Sequence, residues 1–73
     1  MTWKTDLSAL ISARWRPGQT FTLNQVYEFE DRLAVLHPAN YHVQDKIRQT
    51  LQYLRNEGEL SFIDERGAYL RLK

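Results

Sequence analysis

The chain has 73 residues, a length that fits one small domain spanning residues 1–73 and leaves no room for a second. Hydrophobic residues make up 42% of it and charged residues 26%, a balance that excludes an intrinsically disordered chain. The formal net charge is only +1. The absence of cysteine excludes a disulfide scaffold and a thiolate zinc site.

The first predicted helix covers residues 6–14, with Asp6 as its capping residue. Its apolar stripe recurs at helical spacing and consists of Leu7, Leu10 and Ile11. Pro17 and Gly18 follow and prevent the helix from continuing. Residues 20–23 alternate polar and apolar side chains, which predicts a short strand or an extended lead into the next helix.

The second predicted helix covers residues 25–36, with Asn24 as its cap. It ends at His37, because the residue before a proline avoids the helical conformation. Its apolar positions fall on one face and are Val26, Phe29, Leu33 and Leu36.

The third predicted helix covers residues 41–57, with Asn40 as its cap. Gly58 suits the left-handed conformation that commonly ends a helix. The apolar stripe of this helix consists of Val43, Ile47, Leu51 and Leu54.

Two strands complete the chain, at residues 60–63 and 68–72, and the turn at 64–67 places a glycine at its strained position. The second and third helices form a helix-turn-helix pair, and a hairpin directly after such a pair is the wing of a winged helix. We therefore expect an α+β winged-helix fold with three helices, a short strand and a C-terminal β-hairpin wing. The alternative is a small α+β domain that packs the same elements without any role in DNA binding.

Aromatic residues add to the predicted core. We expect Tyr53 and Tyr69 in the core or at its edge, and Trp3 as an anchor of the N-terminal arm. Trp15 stands between two arginines and is either a plug at the end of the first helix or a stacking platform.

The polar face of the third helix carries aromatic, amide and basic groups. Gln can bond the N6 and N7 atoms of adenine, Arg can bond guanine, and Lys suits phosphate. An ordinary solvated helix face is the alternative interpretation. Asp45 repels phosphate, but it could accept a bond from cytosine or hold Arg48 or Gln49 in place, and the sequence leaves these roles open.

Two long runs carry a family resemblance: residues 21–30 (FTLNQVYEFE) and residues 36–58 (LHPANYHVQDKIRQTLQYLRNEG). With the wing segments at 60–62 and 67–69, they resemble the C-terminal winged-helix domain of DpnI and of the Dam-replacing restriction endonucleases. The resemblance covers about residues 20–72. It implies a reader of N6-methyladenine in a GATC-like site of double-stranded DNA. Such a domain is the specificity module of a modification-dependent restriction endonuclease, fused to a separate nuclease domain in the cytoplasm of a prokaryotic cell.

We expect the N-terminal half of the third helix to surround the methylated adenine, with Lys46 and the wing residue Arg66 on phosphate. The candidate DNA-binding residues are Asn40, Tyr41, His42, Gln44, Asp45, Lys46, Arg48, Gln49, Gln52 and Arg66.

Catalysis, a metal and a cofactor are not expected. Residues 37–42 (HPANYH) superficially resemble a His-Asn-His nuclease motif, but they are confined to a turn and the start of a helix. Two histidines without cysteine or a nearby carboxylate pair do not make a zinc site. No apolar run approaches the ~20 residues of a membrane span, so we expect no membrane partner. The alternatives in function are a winged helix for protein–protein interaction and methylation-independent DNA binding.

Overall fold

The computed structural model describes residues 2–39, 42–64 and 67–73. The predicted cap Asn40 and the candidate DNA-binding residues Asn40, Tyr41 and Arg66 lie outside the described residues. The helices and strands, in chain order, are α1 (Trp3–Arg14), β1 (Thr20–Thr22), α2 (Leu23–Tyr27), α3 (Glu30–Leu36), α4 (Val43–Asn56), β2 (Leu60–Asp64) and β3 (Ala68–Arg71). Among the described helices, none combines the length and the apolar content that crossing a membrane would require.

The three strands form one antiparallel sheet in the order β1-β3-β2. Tyr69 in the central strand lies opposite Phe21 of β1 on one side and Phe62 of β2 on the other. Gly67, at a φ of 86°, accepts a backbone bond of 2.8 Å from Leu23, which ties the turn end of the β2–β3 hairpin to the start of α2. The three predicted strands are therefore confirmed, although β1 ends at Thr22, β2 at Asp64 and β3 at Arg71, each one residue from the predicted end. Residues 65 and 66 of the predicted turn lie outside the described residues. With the helices, the strands make an α+β winged helix.

The core lies between α1, α4 and the sheet. Its buried hydrophobic residues are Leu7, Ile11, Trp15, Phe21, Val26, Leu33, Ile47, Leu51, Leu54, Leu60 and Tyr69. Trp15 is the predicted plug, since it is buried and its ring stacks on Phe21 with centroids 4.4 Å apart. Trp3 is half-buried and packs against the same core.

Two residues are exposed that were predicted elsewhere: Tyr53 in the core or at its edge, and Leu36 on the apolar face of the second helix. Tyr53 is 54% exposed because it falls about 80° from the centre of the polar face of α4, nearer to that face than to the core. Leu36 is 40% exposed because it is the last residue of α3, where packing neighbours lie on one side only.

The first helix begins three residues earlier than predicted, and Asp6 does not cap it. Thr2 and Thr5 form a reciprocal capping box, in which each side chain accepts a bond from the backbone N–H of the other at 3.1 Å. Asp6 lies in the first turn, and its carboxylate contacts His37 instead.

The single second helix predicted at 25–36 is wrong, because the segment forms two helices with Thr22, rather than Asn24, as the first cap. Thr22 and Gln25 make the capping box, with bonds of 3.2 and 2.8 Å. Between α2 and α3 the backbone N–H groups of Glu28 and Phe29 reach back only three residues. This tighter turn redirects the chain, so that Val26 before it and Leu33 after it are both fully buried.

The described part of the third predicted helix, α4, begins at Val43 and ends at Asn56, one residue before the predicted end. Gly58 has the predicted positive φ, at 80°. Its N–H bonds the carbonyl of Arg55 and the N–H of Glu59 bonds the carbonyl of Leu54, both at 3.0 Å. This pair of bonds is a Schellman motif, which satisfies the last carbonyls of α4 and turns the chain toward β2.

Candidate nucleic-acid interface

α4 separates an apolar side from a polar side with little mixing. Its buried residues are Ile47, Thr50, Leu51 and Leu54, and the Thr50 hydroxyl donates to the Lys46 carbonyl at 2.6 Å, so no polar atom of the helix needs a core partner. The outward side brings together the predicted residues within the described chain: His42, Gln44, Asp45, Lys46, Arg48, Gln49 and Gln52. All of these side chains are exposed except that of Lys46, which is half-buried.

An ion pair joins the centre of this outward side, at Asp45, to its wing-facing flank, at Arg48. Arg48 donates from Nη2 to Oδ1 of Asp45 at 2.6 Å, one helical turn away. Of the roles that the sequence left open for Asp45, the structure shows the one in which it holds Arg48 in place. The bond from Asp45, and then the nearby Tyr27 hydroxyl, raise the pKa of Arg48 above its ordinary value, so its positive charge is secure.

Lys46 lies on the flank of α4 that faces α1. Its ammonium donates to the Gln49 amide oxygen at 3.3 Å. Both residues line an open hollow with His42 and Asp45. On its other side Lys46 borders a groove that also contains Trp3 and Tyr53. Lys46 therefore stands at the boundary between the outward side of α4 and the α1–α4 groove.

A second hollow lies where α3 meets the start of α4. Ala34 and Val43 give it an apolar surface. The polar and acidic side chains around it are those of Glu30, Asp31, His42, Gln44 and Asp45. It borders three of the predicted site residues, His42, Gln44 and Asp45, and its lining is more polar than apolar. Sequence periodicity alone did not indicate it.

The opposite flank of α4 faces the wing and carries a pair that the sequence analysis missed. The Arg55 guanidinium lies over the ring of Phe62, 4.4 Å from its centroid, and Phe62 packs at 4.9 Å against Tyr69. Arg55 follows Arg48 by seven residues, or about two helical turns, which was a sequence signal that both lie on one flank. Phe62 had no such signal, because its place depends on how the wing folds back.

The charges of the described residues leave α4 with a positive excess. Outside α4, Glu57 pairs with Lys4 at 2.6 Å and Glu28 pairs with Arg14 at 3.3 Å. Within α4, the cations Lys46, Arg48 and Arg55 outnumber its one carboxylate, that of Asp45. A surface of this kind attracts a polyanion.

A small cluster of Trp3, Asp6 and His37 joins the end of α3 to the first turn of α1. The Nε2 atom of His37 lies 2.8 Å from Oδ2 of Asp6, and both side chains are largely buried. The Trp3 ring stacks on His37, with centroids 4.4 Å apart and an interplanar angle of 18°. These contacts fix the end of α3 to the first turn of α1, and so fix the direction in which the chain leaves for α4.

Within the described ranges, no group of three or more His, Asp or Glu side chains is arranged to hold a metal ion.

A comparison with known protein families gives a match over nearly the whole chain. The model of the family described as the Dam-replacing HTH domain matches residues 2–71 of the 73-residue chain. The matched range runs from the cap of α1 to the end of β3, so it includes α4, its two flanks and the wing.

Proposed function

Since the chain belongs to the Dam-replacing HTH domain family and is therefore a DNA-binding module, we propose that it reads N6-methyladenine in a GATC-like site of double-stranded DNA. The observation that carries this proposal is the outward side of α4, with its three exposed glutamines and its Asp45–Arg48 pair. An α-helix of about 10–12 Å diameter fits the major groove, which is about 12 Å wide.

The Asp45–Arg48 pair matches the edge of a G·C base pair. Arg48 offers donors for the O6 and N7 atoms of guanine, and Asp45 offers an acceptor for the N4 amine of cytosine. The two groups already lie side by side at 2.6 Å, so binding needs little rearrangement. A GATC site contains G·C pairs at both ends, which suits one such pair in each half-site.

The methylated adenine needs a different partner from adenine itself. The methyl group replaces the N6 hydrogen that projects into the major groove, so an amide oxygen no longer finds a donor there. A glutamine can still donate to N7, and the methyl group needs apolar surface. Ala34 and Val43 supply that surface in the hollow next to Gln44.

The expected preference for methylated over unmethylated DNA is modest. Burial of one methyl group contributes on the order of 1 kcal/mol, which is about fivefold in affinity. A palindromic site methylated on both strands has two such groups, so the factor would be about 25-fold if both are read.

The domain acts, in this proposal, as the specificity module of a modification-dependent restriction endonuclease. Cleavage belongs to a separate nuclease domain of the parent protein, and the chain itself binds without cutting. Arg66 and Tyr41, which lie outside the described residues, are proposed to join this contact surface from the wing and from the start of the recognition helix.

Competition binding at fixed salt tests the proposal. The duplexes share one GATC sequence and are unmethylated, methylated on one strand, or methylated on both strands. We expect affinity to rise in that order by about fivefold per methyl group. Equal binding to all three would instead leave a methylation-independent DNA-binding domain. Absence of binding even at low salt would favour the protein–protein interaction alternative, because phosphate contacts strengthen as salt falls.

A further inference from the structure

Arg55 lies on the wing-facing flank of α4, outside the set of residues expected to contact DNA. We propose that Arg55, held in place by the Phe62 ring, binds the phosphate backbone of the DNA strand on the wing side of α4. This inference rests on the engagement of duplex DNA by α4, but not on the reading of a methyl group.

The contact with Phe62 leaves the donors of Arg55 without a hydrogen-bond partner among the described residues. The central carbon of the guanidinium lies over the Phe62 ring, 4.4 Å from its centroid, and this cation–π contact occupies none of the N–H groups. Arg14 and Arg48 are bound to carboxylates, but among the described residues no carboxylate lies within ion-pair distance of Arg55. A guanidinium that a ring holds in place, and whose donors no described residue occupies, is suited to the bidentate binding of a phosphate.

Phe62 is itself placed for this role rather than buried in the core. It is 42% exposed, and its ring packs on one side against Tyr69 at 4.9 Å. The ring is thereby fixed to the central strand while its other side carries Arg55. The wing thus orients a charge that belongs to α4.

The position of Arg55 relative to Lys46 matches the two backbones that border a major groove. The two residues are nine positions apart in α4, which corresponds to about 180° around the helix axis and about 13 Å along it. One cation therefore lies on each flank, with Asp45, Gln49 and Gln52 between them. A helix inserted into the groove would place Lys46 beside one strand and Arg55 beside the other.

Salt-dependent binding of the whole chain provides the test, with fluorescence anisotropy on methylated and unmethylated duplexes between about 50 and 200 mM salt. Loss of one phosphate contact lowers the slope of log affinity against log salt by about 1. We expect this decrease for Arg55→Gln and Arg55→Ala, equally on both duplexes. Arg16→Ala, in the turn between α1 and β1, is the matched control and should keep the wild-type slope.

Phe62→Leu separates orientation of the charge from the charge itself. The variant keeps Arg55 and an apolar side chain, so the salt slope should stay as in the wild type while affinity falls a few-fold. Combined with Arg55→Ala, it should cause no further loss of affinity, because the ring acts only through the guanidinium.

The outcomes distinguish this inference from the proposed function. A wild-type slope in both Arg55 variants, with native circular dichroism spectra, would overturn the phosphate contact and leave methyl reading untouched. A reduced slope, together with equal wild-type affinity for both duplexes, would support the contact and overturn methyl reading. A wild-type chain that binds neither duplex would contradict both.

Discussion

Asp45 places a carboxylate on the surface that we propose binds DNA. It lies at the centre of the outward side of α4, and it accepts a bond from Arg48 at 2.6 Å. A carboxylate here weakens binding to every nearby phosphate, but it fixes the guanidinium that would meet a guanine edge. We interpret Asp45 as a residue that lowers general DNA affinity and raises sequence selectivity.

Asp45→Ala should therefore tighten binding to a scrambled duplex and reduce the preference for a GATC duplex by about tenfold, since a bidentate base contact contributes about 1–3 kcal/mol of discrimination. Competition titrations with the two duplexes measure this ratio. Glu28→Ala is the matched control, because it also frees an arginine, Arg14, but outside α4. An unchanged ratio in Asp45→Ala would show that the pair has no part in base reading.

At the scale of a single residue, Tyr69 also predicts how the stability of the fold depends on pH. Burial, and then the neighbouring Tyr27, raise the pKa of Tyr69 above its ordinary value of 10.0, while Arg55 and Arg48 oppose the shift. The folded state therefore holds this proton more tightly than the unfolded state. Its contribution to stability is fully present below pH 10 and is lost as the pH rises through the folded-state pKa.

Urea unfolding from neutral pH to above pH 10 measures this effect. The wild type should lose free energy of unfolding more steeply above that pH than Tyr69→Phe does. Tyr53→Phe removes an exposed tyrosine and should follow the wild-type curve. Parallel curves for the wild type and Tyr69→Phe would contradict the raised pKa.

At the scale of helices and strands, α2 and α3 show that apolar periodicity can identify the buried positions without identifying a break between two helices. The apolar positions Val26 and Leu33 indicate one helix, and both are indeed buried. The break at Glu28–Phe29 follows from tertiary packing, which no residue in the segment signals by itself. Thr22 and Gln25 did carry a signal for the start of α2, since their spacing is that of a capping box.

The contact between α1 and the α3–α4 turn predicts an effect on stability. His37→Ala removes the 2.8 Å contact to Asp6 and the stacking partner of Trp3, and it leaves a largely buried carboxylate without its partner. We expect a loss of about 1–3 kcal/mol, measured by urea unfolding. Lys4→Ala breaks an exposed ion pair in the same helix and should leave the midpoint nearly unchanged. Equal midpoints in the two variants would contradict this role of His37.

The α3–α4 hollow predicts an effect on methyl reading alone. Ala34→Leu fills the space between Ala34 and Val43, the apolar part of this hollow, so the variant should keep its affinity for the unmethylated duplex and lose most of the preference for the methylated one. Ala13→Leu, at an exposed position of α1, is the control. If Ala34→Leu retains the full preference in the competition titration, the methyl group is read elsewhere.

At the scale of the whole molecule, the order of helices and strands favoured the winged helix over another small α+β domain, and the family resemblance over residues 20–72 supported the same fold. Helical spacing was enough to predict the outward side of α4, because Ile47 and Leu51 fix which side is buried. The Arg55–Phe62 pair and the Ala34–Val43 hollow could not be predicted in this way. Each feature lies between two helices or strands whose relative position is set only when the core packs. No short stretch of sequence therefore indicates either feature.

The central claim is that the outward side of α4, with the adjoining hollow, contacts the N6-methyl group of adenine. The most direct measurement is an isotope-filtered NOE experiment on the chain bound to a GATC duplex with isotope-labelled N6-methyl groups. We expect methyl NOEs to Ala34, Val43 and the side chains of Gln44 and Gln49. Methyl NOEs confined to the wing, or absent from a complex that otherwise shows protein–DNA contacts, would contradict the claim.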